Sequence, residues 1–257
     1  MTLDLKIKNK SNREKILQDI KQDLLTDLKD QILSATVYGS TLNEDFCIKS
    51  DFDILLVIKK PDISLLKKLK KIKKKYAEKG VITDINVHSC DDVPAIRKEV
   101  FWHNNRGLYM QKEIELYGNQ LIGENYFKST KFSKSEIIIE AVRVINSLNY
   151  QARKLLINKN LDQDGRILMM KWCIYGALYA LATKEIYPLD KKTALKAFYD
   201  IFEPPINPEK FLQIKVNRPI NITDEDVEVA YEFLTYLDKR IFQDYIAFKK
   251  RSKTNGF

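Results

Sequence analysis

Two short polar stretches have the residue types and the spacing of a phosphate and metal site. Gly39-Ser40 follows an apolar segment, and after ten further residues Asp51 and Asp53 begin the next apolar segment. Glycine and serine at a strand end let backbone N–H groups and a hydroxyl approach a triphosphate. Side chains alternate across a strand, so Asp51 and Asp53 face the same side and can bind the same metal ions. An oxygen-only pair suits magnesium better than zinc or copper.

The combined pattern resembles the signature of the DNA polymerase beta type nucleotidyltransferase superfamily. That signature is an apolar residue, Gly-Ser, a spacer, and then Asp-apolar-Asp-apolar. The matching residues here are Tyr38, Gly39-Ser40 and Asp51-Phe52-Asp53-Ile54. The superfamily also has a third carboxylate on a later strand, and Asp84 in the segment 81–88 supplies one.

The resemblance implies a role for each of these residues. Asp51 and Asp53 are expected to bind two Mg²⁺ ions, and Gly39 and Ser40 are expected to bind the β and γ phosphates of a nucleoside triphosphate. Asp84 either completes the metal site or acts as general base on an acceptor hydroxyl, and the sequence leaves both roles open. The expected products are a nucleoside monophosphate ester and pyrophosphate, with ATP as the expected donor.

Helices and strands alternate around these motifs. Apolar residues every three or four positions predict two amphipathic helices, and β-type segments predict strands at 32–38 and 81–87. The periodic residues are Ile16, Ile20, Leu24 and Leu28 in the first helix and Leu65, Leu69, Ile72 and Tyr76 in the second. The stretch 112–118 resembles the strand that closes many small nucleotidyltransferase domains. His88, on the same strand face as Asp84, is either a site residue or a surface residue, and His103 is a weaker candidate.

Helical patterning replaces strand patterning near residues 123–133. Ser133 with Glu136 predicts a capping box that opens a helix to residue 156, and Thr223 with Asp226 predicts another that opens the last helix. Further helices are predicted at 165–184 and after Asp190. The predicted fold is α+β, with a nucleotidyltransferase catalytic domain of mixed sheet and helices at 1–125 and an all-α helical bundle at 126–257.

The segment 178–198 resembles part of the C-terminal helical domain of bacterial aminoglycoside adenylyltransferases. In that family a lysine before a helix is expected near the nucleotide phosphates, and Lys191 or Lys192 is its counterpart here. The simpler interpretation is a solvated helix start. Phe198 stands where the family commonly has tryptophan. The resemblance implies transfer to a hydroxyl of a small molecule such as an aminoglycoside-type antibiotic.

Composition favours a soluble, cytoplasmic protein. The three cysteines of the 257 residues have no Cys-x-x-Cys spacing, so neither a disulfide framework nor a zinc site is indicated. No charged and then apolar leader is recognised, and the apolar run 172–182 is too short to span a membrane. Trp172, Tyr175 and Tyr179 at helical spacing are either core residues or a stacking surface. The oligomeric state, monomer or homodimer, is left open.

Net charge keeps other acceptors open. The chain carries 44 Lys and Arg against 35 Asp and Glu, a net charge of +9. Residues 1–125 hold 22 basic and 19 acidic side chains, whereas residues 126–257 hold 22 and 16. A basic protein attracts anions, so an RNA acceptor such as a transfer-RNA 3′ end is an alternative to a polycationic antibiotic. The superfamily resemblance also implies a protein acceptor as an alternative, as in toxin-like members. The lysines at 67–75 and 249–253 are either solvated faces or binding stripes. A third hypothesis is a non-catalytic nucleotide- or partner-binding protein.

Overall fold

The computed structural model describes residues 10–43, 46, 50–91, 107–127, 132–157, 161–206, 211 and 221–254. The chain divides into two compact units, Met1–Thr130 and Lys131–Phe257. The first unit contains the β-sheet and the second is helical. This architecture confirms the predicted α+β class.

The first unit is built around a four-stranded mixed sheet. Its elements are α1 (Lys10–Leu28), β1 (Ile32–Tyr38), a 3₁₀ turn (Gly39–Leu42), β2 (Phe52–Ile58), α2 (Ile63–Ala77), β3 (Thr83–Ser89), α3 (Gly107–Tyr117) and β4 (Asn119–Gly123). The strand order is β3-β2-β1-β4. Strand β1 is antiparallel to β2 and β4, whereas β2 and β3 are parallel. The helix α2 is therefore the crossover that connects the two parallel strands.

Apolar side chains cover both faces of β2. Ile54 and Leu56 join a core with residues of α1 and α2, such as Leu24. Leu55, on the opposite face, packs in a second cluster with Ile114 of α3. Each such side chain contributes about 1.5–3 kcal/mol when it is fully buried. Burial on both faces explains why β2 is a continuous apolar run rather than an alternating one.

The crossover helix α2 is capped at its N-terminus and is held against α1 by polar contacts. Asp62 caps it by accepting a hydrogen bond from the backbone N–H of Leu65 at 2.7 Å. The Tyr76 hydroxyl donates to Asp23 of α1 at 2.8 Å, and Lys75 pairs with the same carboxylate at 2.6 Å. Burial and the hydrogen bond to this carboxylate raise the pKa of Tyr76. These contacts fix α2 against α1.

The prediction of a strand at 112–118 is wrong. Residues up to Tyr117 belong to the helix α3, and the closing strand β4 follows at Asn119–Gly123. The alternation of Ile114 and Leu116 with glutamates has the period of a strand, but only Ile114 is in the core and Leu116 is exposed. The ion pair between Lys112 and Glu115 has the three-residue spacing of a helix. Helical packing of Met110 and Ile114 outweighs the short alternating pattern.

The second unit contains the helices α4 (Lys134–Ile157), α5 (Gln163–Ala182), α6 (Lys191–Phe202) and α7 (Asp224–Thr254). Both predicted capping boxes are present: the backbone N–H of Ser133 donates to Glu136 at 2.7 Å, and that of Thr223 donates to Asp226 at 3.1 Å. Helix α5 is buried on nearly all sides and packs against α4, α6 and α7. At Gly176 an added Cβ would lie 2.7 Å from Leu237, so this glycine permits the close approach of α5 and α7.

None of the helices in the described ranges combines the length and the hydropathy needed to cross a lipid bilayer.

Candidate active site

Three carboxylates converge where β2 and β3 begin. Asp53 and Asp84 are direct partners in the parallel register of the two strands, and Asp51 lies two residues before Asp53. Each residue offers one carboxylate oxygen to a cluster in which these atoms lie within 4.8 Å of one another. The structure thus brings together all three residues that were predicted to bind metal.

This cluster fits a divalent cation by its chemistry. The three groups offer only carboxylate oxygens, which magnesium prefers, and no nitrogen or sulfur ligand. Like charges at this range repel one another, and a bound divalent cation replaces that repulsion with attraction. The site also leaves room for substrate oxygens, because three monodentate carboxylates do not complete the octahedral shell of magnesium.

The turn that follows β1 lies directly against this cluster. Gly39 has a φ of +69°, in the left-handed region that glycine adopts most readily. A Cβ atom at Gly39 would lie 2.6 Å from Oδ2 of Asp53, closer than real side chains approach. Glycine is therefore required for both the turn and the close approach. As a consequence, the backbone of Gly39 lies next to the carboxylate of Asp53.

Thr41 connects this turn to the strand of the carboxylates. Its hydroxyl donates to the backbone carbonyl of Asp51 at 3.3 Å and accepts from the backbone N–H of Asp53 at 3.3 Å. The side chain is only 4% exposed. Thr41 was not among the residues predicted from the sequence, because a threonine after Gly-Ser gives no local sign of these two hydrogen bonds. Its two hydrogen bonds fix the spacing between the Gly-Ser turn and the aspartate pair.

Asn86 holds the third carboxylate. It lies two residues after Asp84 and on the same face of β3. Its Nδ2 atom donates to the Tyr38 hydroxyl at 2.8 Å and to Oδ2 of Asp84 at 3.4 Å. Since Tyr38 precedes the Gly-Ser turn, this side chain links β1 to β3 across β2. The other oxygen of Asp84 is left for a metal ion or for a proton.

The remaining predicted residues have varied positions. Lys191 and Lys192 begin α6 in the second unit, after the N-cap residue Asp190, and their contact with nucleotide phosphates stays a prediction. His88 pairs with Val57 in the sheet register, and its role also stays a prediction. His103 lies outside the described residues.

The aromatic residues at helical spacing in α5 belong mainly to the interior of the helical unit. Trp172 and Tyr179 are both buried there, and Tyr175 is half-buried. Of the two interpretations given to this spacing, core packing accounts for Trp172 and Tyr179.

Two comparisons connect this geometry with known proteins. Residues 14–117 match the family model described as a nucleotidyltransferase domain, and this range contains the Gly-Ser turn and all three carboxylates. Among solved structures, the chain is similar to spectinomycin adenyltransferase AAD(9) from Enterococcus faecialis, determined with ATP and spectinomycin. The match has a TM-score of 0.60 and 16% identity, and it covers 89% of this chain and 98% of that chain. At this identity the likeness shows a shared fold. No protein in the curated set matches this sequence significantly.

Proposed function

We propose that this chain, in which residues 14–117 form a nucleotidyltransferase domain of the polymerase beta type, transfers a nucleoside monophosphate from a nucleoside triphosphate to an acceptor hydroxyl in a magnesium-dependent reaction. The observation that carries the proposal is the convergence of Asp51, Asp53 and Asp84 beside the Gly39 turn. A nucleotide-binding turn without chemistry would not need three carboxylates within 4.8 Å of one another.

The carboxylates are the groups that would hold magnesium. Asp51 immediately precedes β2 and Asp53 lies in it, and their carboxylates meet that of Asp84 on β3. Two bound ions would neutralise charge on the phosphates and lower the pKa of the attacking hydroxyl. All three proposed ligands are carboxylate oxygens, which are the ligands that Mg²⁺ prefers.

The other groups of the site bind and orient the nucleotide. Backbone N–H groups of the Gly39-Ser40 turn and the Ser40 hydroxyl donate hydrogen bonds to the β and γ phosphates. Because Thr41 ties this turn to β2, the phosphates are placed at a fixed distance from the carboxylates. Catalysis in this proposal comes from positioning and charge stabilisation rather than from a covalent enzyme intermediate.

The acceptor hydroxyl attacks the α phosphorus. A new P–O bond forms between the acceptor and the α phosphate, the bond between the α and β phosphates breaks, and pyrophosphate leaves. The hydroxyl proton goes to a carboxylate or to water. The Asp84 oxygen that is not bonded to Asn86 is a candidate for the base. Alternatively, this oxygen would help to hold the metal ion, which would itself lower the pKa of the hydroxyl.

The structural neighbour suggests the two substrates. Its crystal structure holds ATP and the antibiotic spectinomycin. We therefore propose ATP as the donor and a hydroxyl of an antibiotic of the aminoglycoside type as the acceptor, so that the protein would confer antibiotic resistance.

One observation favours a second candidate, in which RNA is the acceptor. One face of α2 is buried, through Leu65, Leu69, Ile72 and Tyr76. The opposite face carries lysines at the i, i+3, i+4, i+7 spacing. These residues are Lys67, Lys70, Lys71 and Lys74, and all four are exposed. A row of four cations fits a phosphodiester backbone. Binding to such a polyanion would weaken steeply with salt, whereas binding of a small neutral acceptor would not.

A labelling experiment separates these acceptors. The purified protein is incubated with magnesium and each α-labelled nucleoside triphosphate, with a panel of aminoglycosides and related antibiotics in one set and total RNA in another. Label in a small molecule supports the first candidate, and label in RNA supports the second. Absence of transfer to any acceptor, with a protein extract included as a third set, would contradict the proposal and favour a binding role.

A further inference from the structure

A guanidinium group from the first helix reaches the segment between the Gly-Ser turn and the aspartates. Nη1 of Arg13 donates to the backbone carbonyl of Thr41 at 3.2 Å and to that of Asn43 at 3.0 Å. The donor and the two acceptors are 28 and 30 residues apart in sequence. Two successive hydrogen bonds from one cation therefore fix the chain immediately after the turn.

The same guanidinium also contacts the first ring of an aromatic pair, Phe46 and Phe52, and Phe52 is the first residue of β2. The guanidinium lies 5.0 Å from the centroid of the Phe46 ring, and that ring meets Phe52 edge to face with a centroid distance of 5.1 Å. Phe52 is only 1% exposed, and in the sequence it stands between Asp51 and Asp53. Arg13 thus contacts the segment between β1 and β2 at two places. One is the backbone of Thr41 and Asn43, and the other is the ring of Phe46, which packs on Phe52.

These contacts distinguish Arg13 from a solvated surface charge. Its partners are two carbonyls and a ring, and burial lowers the pKa of its guanidinium from the ordinary value. An arginine still stays charged at every physiological pH, so both hydrogen bonds are charge-assisted. The carbonyl of Thr41 accepts from Arg13, while the hydroxyl of the same residue binds the backbone of Asp51 and Asp53.

We infer that Arg13 is a positioning residue for nucleotidyl transfer. It holds Thr41 where the hydroxyl of that residue sets the distance between the phosphate-binding turn and the carboxylates. Arg13 touches no reacting atom in this assignment, and it acts through Thr41. The inference rests on the proposed function, because it concerns the same site.

The informative substitution is Arg13→Met. Methionine keeps an apolar stem that packs on Phe46 but removes both hydrogen bonds and the charge. We expect the affinity for a manganese complex of a non-hydrolysable ATP analogue to fall about tenfold, which corresponds to roughly 1.4 kcal/mol. Arg13→Lys keeps a cation that can reach one carbonyl, so its affinity is expected to lie between those of the wild type and Arg13→Met.

A matched control separates positioning from general stability. Tyr76→Phe removes the hydrogen bond from Tyr76 to Asp23, which also anchors α1 in the same unit but lies outside the turn. This variant is expected to melt at a lower temperature and to bind the analogue as tightly as the wild type. If Arg13→Met does not fold, the comparison of Arg13→Lys with Tyr76→Phe carries the test.

The affinity of each variant for the analogue is measured by calorimetric titration at a temperature where every variant is folded. Weaker binding in the order wild type, Arg13→Lys, Arg13→Met, with Tyr76→Phe unchanged, supports the inference. Equal affinity of Arg13→Met and the wild type overturns it and leaves the proposed function intact. A wild-type protein that does not bind the analogue at all overturns the proposed function and this inference together.

Discussion

The carboxylate of Asp53 lies against Gly39, with its Oδ2 atom 2.6 Å from the position that a Cβ atom of Gly39 would occupy. The Gly39-Ser40 turn and the start of β2 are therefore in contact through the backbone of Gly39 and the carboxylate of Asp53, with no other side chain between them. Any side chain at position 39 must displace either the turn or the carboxylate.

Gly39→Ala tests this contact. The left-handed backbone costs a non-glycine residue about 1–2 kcal/mol, and the methyl group must also displace Asp53. We expect transfer activity to fall by about a hundredfold or more. Gly80→Ala is the matched control, because Gly80 has a similar φ of +73° but follows α2. Comparable loss of activity in both variants would show that backbone strain, and not contact with Asp53, is responsible.

Thr41→Val tests the hydroxyl that joins the turn to β2. Valine has nearly the same shape but leaves the partly buried N–H of Asp53 and the carbonyl of Asp51 without this partner. We expect a loss of about 1–3 kcal/mol in the free energy of unfolding, together with weaker nucleotide binding. Thr41→Ser retains the hydroxyl and should therefore retain most of the stability and most of the nucleotide affinity. Chemical denaturation and nucleotide titration measure the two quantities, and a Thr41→Ser variant as impaired as Thr41→Val would contradict the role of the hydroxyl.

Asn86→Ala removes the hydrogen bonds that hold Asp84 and the Tyr38 hydroxyl. We expect kcat to fall about tenfold, with little change in KM for the nucleotide, because the carboxylate is misplaced rather than lost. Asn146→Ala is the control, since Nδ2 of Asn146 also donates to an aspartate, Asp238, but in the second unit. Steady-state kinetics of both variants would contradict the assignment if Asn146→Ala lost as much activity as Asn86→Ala.

The lysines of α2 give a prediction about the acceptor. A variant with Lys67, Lys70, Lys71 and Lys74 all replaced by glutamine should transfer the nucleotide to a small molecule as fast as the wild type. Its helix should be slightly more stable, because each like-charge pair at this spacing costs about 0.2–0.5 kcal/mol.

The matched control for this variant changes four dispersed lysines of the second unit. Lys134, Lys154, Lys196 and Lys239 are all exposed, so replacing them with glutamine removes the same net charge. Rates measured over a range of salt concentrations compare the two variants. A selective, salt-dependent loss of transfer in the α2 variant would contradict a small-molecule acceptor and favour RNA.

The sequence was sufficient to predict the carboxylate cluster, for a physical reason. Asp51 and Asp53 are two residues apart, and the two-residue period of a strand predicts a common orientation for them. Their carboxylates do meet, although β2 itself begins at Phe52. The place of Asp84 on a neighbouring strand followed from the resemblance to a known superfamily, and the register of β2 with β3 confirms it. The capping boxes at Ser133 and Thr223 were also predictable, because both partners of each hydrogen bond lie within four residues.

The contacts that support the site were not predictable in the same way. Arg13 and Thr41 are far apart in sequence, and only the packing of α1 against the sheet brings them together. Neither residue type is unusual where it stands. The strand predicted at 112–118 failed for a related reason, because the alternation around Ile114 is too short to outweigh the packing of a helix whose apolar residues begin at Leu108. Sequence patterns therefore predict the structure that depends on residues close together in the sequence. They do not predict the structure that depends on contacts between distant residues.

The most direct measurement is transfer of α-labelled nucleotide, with release of pyrophosphate, by the wild type and by Asp53→Asn in the presence of magnesium. Asp30→Asn, at an exposed position in the same unit, is the control. We predict transfer by the wild type and by Asp30→Asn that stops when magnesium is chelated, and a loss of about a thousandfold or more in Asp53→Asn, because the carboxylate that binds metal is removed. Undiminished transfer by folded Asp53→Asn would contradict the account.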